Sequence, residues 1–182
     1  MNFEVGKEKT LKKMREDDRS NKGSVDKLIK PLLDVVNKSE NYYSTSSCSG
    51  RVIVISIHSN GSKRDAEFIY RTHEEADSDE IIKALKSLDT DDAVWFRQEP
   101  AIIHVCARTL KDASNFLKTA RVIGFKRCGL FEVDKRFMME LVSTEKIDTI
   151  IANKGKILVS DEYVKVLVLE ANKKLKKTWD KT

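Results

Sequence analysis

The sequence predicts an α+β fold, a single domain spanning residues 1–182 with a mixed β-sheet and flanking helices. Helical periodicities stand at both ends of the chain, while β-branched runs and hairpin signals fill the middle. A third observation removes one architecture. A Rossmann-type fold needs a glycine-rich turn between strand and helix, and the seven glycines never form even G-x-G.

The charged first 20 residues carry Phe3, Leu11 and Met14 as a thin apolar stripe, which predicts a helix lying over the main body. Lys22-Gly23-Ser24 is a break and cap, and Val25, Leu28, Ile29, Leu32, Leu33 and Val36 then follow helical spacing. Pro31 within that run must kink the helix or shorten it from one end. Arg51–His58 is a buried strand, Asn60-Gly61 a hairpin turn, and Ala66–Arg71 the returning partner. Ile81, Ile82, Leu85 and Leu88 mark a short amphipathic helix.

Ala93–Arg97 and Ala101–Arg108 read as strands joined by a turn at Glu99-Pro100. Ala113, Phe116, Leu117 and Ala120 mark a helix closed by Gly124. Phe125–Val133 and Phe137–Val142 are strand-like, followed by a hairpin around Asn153-Lys154-Gly155. Ser160-Asp161 caps a last helix with Val164, Leu167, Val168, Ala171 and Leu175 on its apolar face. Strand, helix, strand occurs twice in the middle, the pattern of an internal duplication, although no sequence repeat accompanies it.

The net charge of +5 permits a polyanionic partner without demanding one. Three scattered cysteines, none in C-x-x-C, disfavour a disulfide framework and a zinc knuckle, and no metal site is expected. No apolar run approaches the ~20 residues of a membrane span, and the N-terminus lacks the apolar stretch of a signal peptide. A cytoplasmic protein is expected, with its oligomeric state left open, a homodimer included.

Chemistry concentrates in Ser44–Arg51, where five of eight residues bear hydroxyls directly before an apolar strand. Such a loop, ending in Gly50 and Arg51, can wrap a charged ligand or the carboxylate of an amino-acid moiety; it can equally cap the strand. Asp26 suits a helix N-terminus and also a general base. His104 shares a strand face with Cys106 and Arg108, as a half-buried histidine or a proton acceptor. Tyr43 and Trp95 are rings for core packing or for stacking on a base. The lysines at 173, 174, 176 and 177 suit phosphate or plain solvation.

Several collinear blocks resemble the tRNA wybutosine-synthesizing protein 3 family. They are Ser20–Asp26 with Ile29–Asn37, Tyr43–Arg51, Trp95–Glu99, Ile103–Arg108, Gly124–Leu130 and Glu162–Lys173. The Ser-Ser-Cys-Ser-Gly-Arg run is the most specific. Ser44 and Cys128 depart mildly, standing where threonine and a small hydroxyl residue are expected.

The resemblance implies an S-adenosylmethionine-dependent methyltransferase acting on ring nitrogen N4 of the tricyclic wybutosine precursor at position 37 of phenylalanine tRNA. Asp26 and His104 are then the catalytic candidates, and Ser46, Ser47, Cys48, Ser49, Gly50 and Arg51 the cofactor-binding ones. Ser24, Tyr43, Trp95, Glu99 and Arg108 are the expected substrate contacts. The rival readings are a non-catalytic RNA-binding module and a small-molecule enzyme with an anion-binding loop.

Overall fold

The computed structural model describes residues 2–15, 27–58 and 66–181. The Asn60-Gly61 turn, Ser24 and Asp26 lie outside the described residues. The α+β class holds, and the arrangement is not of the Rossmann type. The strands form two sheets, one of four and one of five strands, rather than a single mixed sheet, and each ladder described below is antiparallel. Two compact units result: residues 1–49, 101–144 and 179–182, and residues 50–100 and 145–178.

The first unit contains α1 (Phe3–Arg15), α2 (Lys30–Lys38), β1 (Tyr42–Cys48), β5 (Ile102–Ala107), α4 (Leu110–Val122), β6 (Arg127–Glu132) and β7 (Phe137–Val142). Its sheet runs β1-β5-β7-β6. Pro31 stands in the first turn of α2, where its missing N–H costs nothing, so the helix is shortened rather than kinked. The apolar stripe of α2 (Ile29, Leu33, Val36) and that of α4 (Ala113, Leu117, Ala120) bury one sheet face through Ile103, Val105, Met139 and Leu141. Thr109 caps α4 by accepting from Asp112 N at 3.1 Å. Gly124 ends it at φ +109°, a conformation that lets Phe125 N return to Ala120 O at 2.9 Å.

The second unit contains β2 (Arg51–Ile57), β3 (Glu67–Thr72), α3 (Ser78–Lys86), β4 (Ala93–Glu99), β8 (Ile147–Asn153), β9 (Lys156–Ile157) and most of α5 (Asp161–Trp179). Its sheet runs β3-β2-β4-β8-β9. β2 carries the unbroken apolar run Val52–Ile55, all buried, and Ser56 beyond it is buried as well. β8 and β9 meet at the expected turn, with positive φ at both Lys154 and Gly155. Asn172 of α5 exchanges hydrogen bonds with the backbone of Ala76 at 2.8 and 3.0 Å, fixing the segment before α3. The lysine run of α5 is largely committed to carboxylates: Lys176 to Glu75, Lys174 to Glu145 and Glu170, and Lys173 to Glu170.

The other face of the four-stranded sheet is where the first unit differs from a simple two-layer packing. Tyr43, Cys106 and Met138 lie side by side across three strands, buried, with Phe3 of α1 set edge-on to Tyr43 at 5.2 Å. The Tyr43 hydroxyl is buried, and among the described residues it makes no well-formed hydrogen bond, although the Cys106 thiol and the Arg136 guanidinium lie near it. Burial, with the neighbouring Cys106 thiol, pushes its pKa up to about 12. Since the folded value lies above the unfolded one, the corresponding stability is present below pH 10 and is lost as pH rises towards 12. Tyr43→Phe is expected to change stability at neutral pH by less than about 1 kcal/mol, because no partner is orphaned. It should also make denaturant unfolding less sensitive to pH above 10. Burial raises Tyr42 and Tyr70 as well, so the alkaline loss should shrink rather than vanish.

Candidate active site on the four-stranded sheet

The hydroxyl-rich run is a strand rather than a loop through Cys48. Its serines and threonine bond locally in other conformations, and here pairing with β5 overrides that preference. The register breaks at its centre. Ser44 faces Val105 and Ser47 faces Ile103, so Thr45 and Ser46 together stand opposite His104 alone. This is a β-bulge, which bends a strand and re-aims a side chain. Here it brings Ser46 Oγ to 2.7 Å from His104 Nδ1.

Both ends of the run are anchored. Asn37 of α2 donates from Nδ2 to Ser44 Oγ at 3.0 Å and accepts from Ser44 N at 2.7 Å, immediately before the bulge. Beyond it, the Trp179 indole donates to Ser49 O at 3.2 Å. Gly50 follows at φ +95°, which an L side chain rarely adopts.

The polar row continues across the sheet. His104 and Glu140 are directly paired on β5 and β7, and Nε2 lies 2.9 Å from Glu140 Oε2. The side chains are 25% and 48% exposed, so the row is accessible. Gly129 on β6 pairs with Glu140 on its other side, and a Cβ there would meet nothing within 4 Å. Phe131, 59% exposed, tilts its ring to 5.3 Å from the imidazole. Hydroxyl, imidazole, carboxylate and an aromatic surface are thus brought together from four strands. Such a row can hold and move a proton beside a flat ligand.

Towards α1 the same unit holds a pocket of ≈ 210 Å³ lined by Phe3, Tyr43, Cys106, Arg108 and Arg136 among others. Burial raises the Cys106 thiol, so it stays protonated at neutral pH and is no thiolate nucleophile. Arg108 is committed elsewhere: it pairs with Glu4 at 2.5 Å, donates to Glu40 O at 2.7 Å and covers the Phe3 ring at 4.5 Å. It fastens α1 to the sheet.

The expected site residues therefore divide. Tyr43, Ser46, Ser47, Cys48, Ser49, His104 and Arg108 belong to the first unit. Tyr43 is fully buried and offers no ring face to a base. Among the described residues Ser47 Oγ is buried without a hydrogen-bond partner. Gly50, Arg51, Trp95 and Glu99 belong to the second unit. There Arg51 and Glu99 pair with each other at 2.5 Å, and Arg97 lies 5.4 Å from the Trp95 ring. Among the described residues no group of three or more His, Cys, Asp or Glu side chains is arranged to hold a metal.

Glu140 and Phe131 escaped the sequence reading. Glu140 is the only charge in the strand-like run Phe137–Val142, and that interruption was the available signal. Nothing in the sequence shows that it faces His104, 36 residues away.

Residues 5–182 match the family described as Methyltransferase TYW3. The chain is 35% identical, over 99% of its length and 91% of the relative, to tRNA(Phe) 7-((3-amino-3-carboxypropyl)-4-demethylwyosine(37)-N(4))-methyltransferase 1 of Pyrococcus furiosus. It is 36% identical to the tRNA wybutosine-synthesizing protein 3 homolog of Xenopus laevis, over 88% of this chain and 65% of that one. Among solved structures, the PH1069 protein of Pyrococcus horikoshii superposes with a TM-score of 0.89 at 34% identity, covering 99% of this chain and 92% of that one.

Proposed function

Because the chain belongs to the Methyltransferase TYW3 family, we propose that it carries out the reaction for which its archaeal relatives are named. It is a tRNA methyltransferase of the wybutosine pathway. It methylates N4 of 7-(3-amino-3-carboxypropyl)-4-demethylwyosine at position 37, in the anticodon loop of phenylalanine tRNA. The match over nearly the whole chain carries this reading. Among the described residues no helix is long and apolar enough to cross a membrane, which suits a protein working on tRNA in the cytoplasm.

A methyltransferase needs a methyl donor, and S-adenosylmethionine is the one we assign. The residues present fit an amino-acid moiety: among the described residues Ser47 Oγ is a buried hydroxyl without a partner, on the strand that also carries Ser46 and Cys48. Ser47, Cys48 and Ser49 of the first unit would hold the donor, which when bound supplies an electrophilic methyl on sulfonium. What remains for the chain is alignment and removal of the ring-nitrogen proton. His104 is the proton acceptor we favour. Asp26 stays the second candidate, and Ser24, Trp95 and Glu99 proposed substrate contacts.

For the tricyclic base, Phe131 supplies an exposed ring beside His104 that buried Tyr43 cannot. Stacking of a base on an aromatic side chain is worth about 1–3 kcal/mol. Phe131→Ala is therefore expected to raise KM for tRNA about 5- to 150-fold with a smaller change in kcat, measured under steady-state turnover.

The function itself is tested with labelled S-adenosylmethionine. Phenylalanine tRNA carrying the unmethylated tricyclic base is the acceptor and unmodified tRNA the control. Label is expected only on the tricyclic nucleoside. No transfer despite tight tRNA binding would instead identify a non-catalytic RNA-binding protein.

A further inference from the structure

Both ring nitrogens of His104 are engaged, Nδ1 with Ser46 Oγ at 2.7 Å and Nε2 with Glu140 Oε2 at 2.9 Å. An ionised carboxylate offers lone pairs and no proton, so a neutral imidazole facing it carries its hydrogen on Nε2. Nδ1 is then bare and can only accept, which makes the Ser46 hydroxyl the donor to it. The remaining lone pairs of Ser46 Oγ, on an exposed bulge residue, are left to face an incoming N–H. A substrate proton cannot reach His104 directly without displacing one of these two partners.

We propose that Glu140 is a positioning residue that locks His104 in the Nε2–H tautomer, so that Ser46 takes the substrate's proton and His104 stores it. The inference rests on the methyl-transfer reading above. As the ring nitrogen bonds to the methyl carbon of a sulfonium donor, the carbon–sulfur electron pair stays with sulfur. The ring N–H proton moves to Ser46 Oγ, and the Ser46 proton moves to His104 Nδ1. The sulfonium's positive charge is replaced by one on the imidazole, beside the Glu140 carboxylate. The base enters and leaves neutral, and the donor leaves as a neutral thioether. A contact as exposed as His104–Glu140 contributes little to stability, so the proposal is read in the imidazole and in turnover.

The direct test is nitrogen NMR of the full chain labelled with ¹⁵N-histidine, at a pH where the imidazole is neutral. His104→Gln identifies the signal among three histidines. The wild-type chain is expected to show the Nε2–H tautomer, and Glu140→Leu a mixture of both. In turnover, Glu140→Leu should lower kcat about 10- to 100-fold with both KM values unchanged, the scale of a lost orienting partner. Glu140→Gln keeps an acceptor oxygen without the charge, and should restore the tautomer and part of the rate. An Nδ1–H tautomer in the wild type, or a Glu140→Leu protein with unchanged tautomer and kcat, would overturn the relay. A wild-type chain with the expected tautomer but no methyl transfer would overturn the functional reading beneath it.

Discussion

The one extra residue that β1 inserts opposite His104 sets the geometry on which the polar row depends. Side chains alternate along a strand, so an unbroken register would place one β1 residue opposite His104. The bulge gives that position two, and the second, Ser46, reaches the imidazole. The distortion is held from both sides, by Asn37 on Ser44 and by Trp179 on Ser49 O. Neither contact touches the imidazole. Their role is to keep an irregular strand irregular in one way.

Around that point the two faces of the sheet do different work. One is a continuous apolar layer under α2 and α4, which makes β5 and β7 rigid supports. The other carries Tyr43, Cys106 and Met138 under Phe3, then the exposed row of Ser46, His104 and Glu140. A site on paired strands is held more closely than one on loops, and methyl transfer depends chiefly on alignment. Phe131 adds a flat apolar surface where the row meets solvent.

Much of the fold was legible because periodicity and turn chemistry are local. The helix marked by Ala113, Phe116, Leu117 and Ala120 ends at Gly124, and Pro31 shortens α2, because each follows from neighbours a few residues away. The strand Tyr42–Cys48 was not legible, since five hydroxyl residues before Gly50 suggest a polar loop until β5 pairs with them. His104 could be singled out from its strand face, but its two partners could not: Ser46 and Glu140 are 58 and 36 residues away. Tyr43 was placed in a matching block without any local sign that α1 would bury it. Arg51 and Glu99 similarly satisfy each other across β2 and β4, a pairing only the register reveals.

The most direct test is single-turnover methyl transfer by Ser46→Ala, His104→Gln and the double variant, with saturating donor and tRNA. Residues that act as one unit give strongly non-additive losses. If Ser46 passes the proton to His104, the double variant should be no slower than the slower single one, within about threefold. If the two losses multiply, Ser46 and His104 act independently, and the bulge does not serve proton transfer.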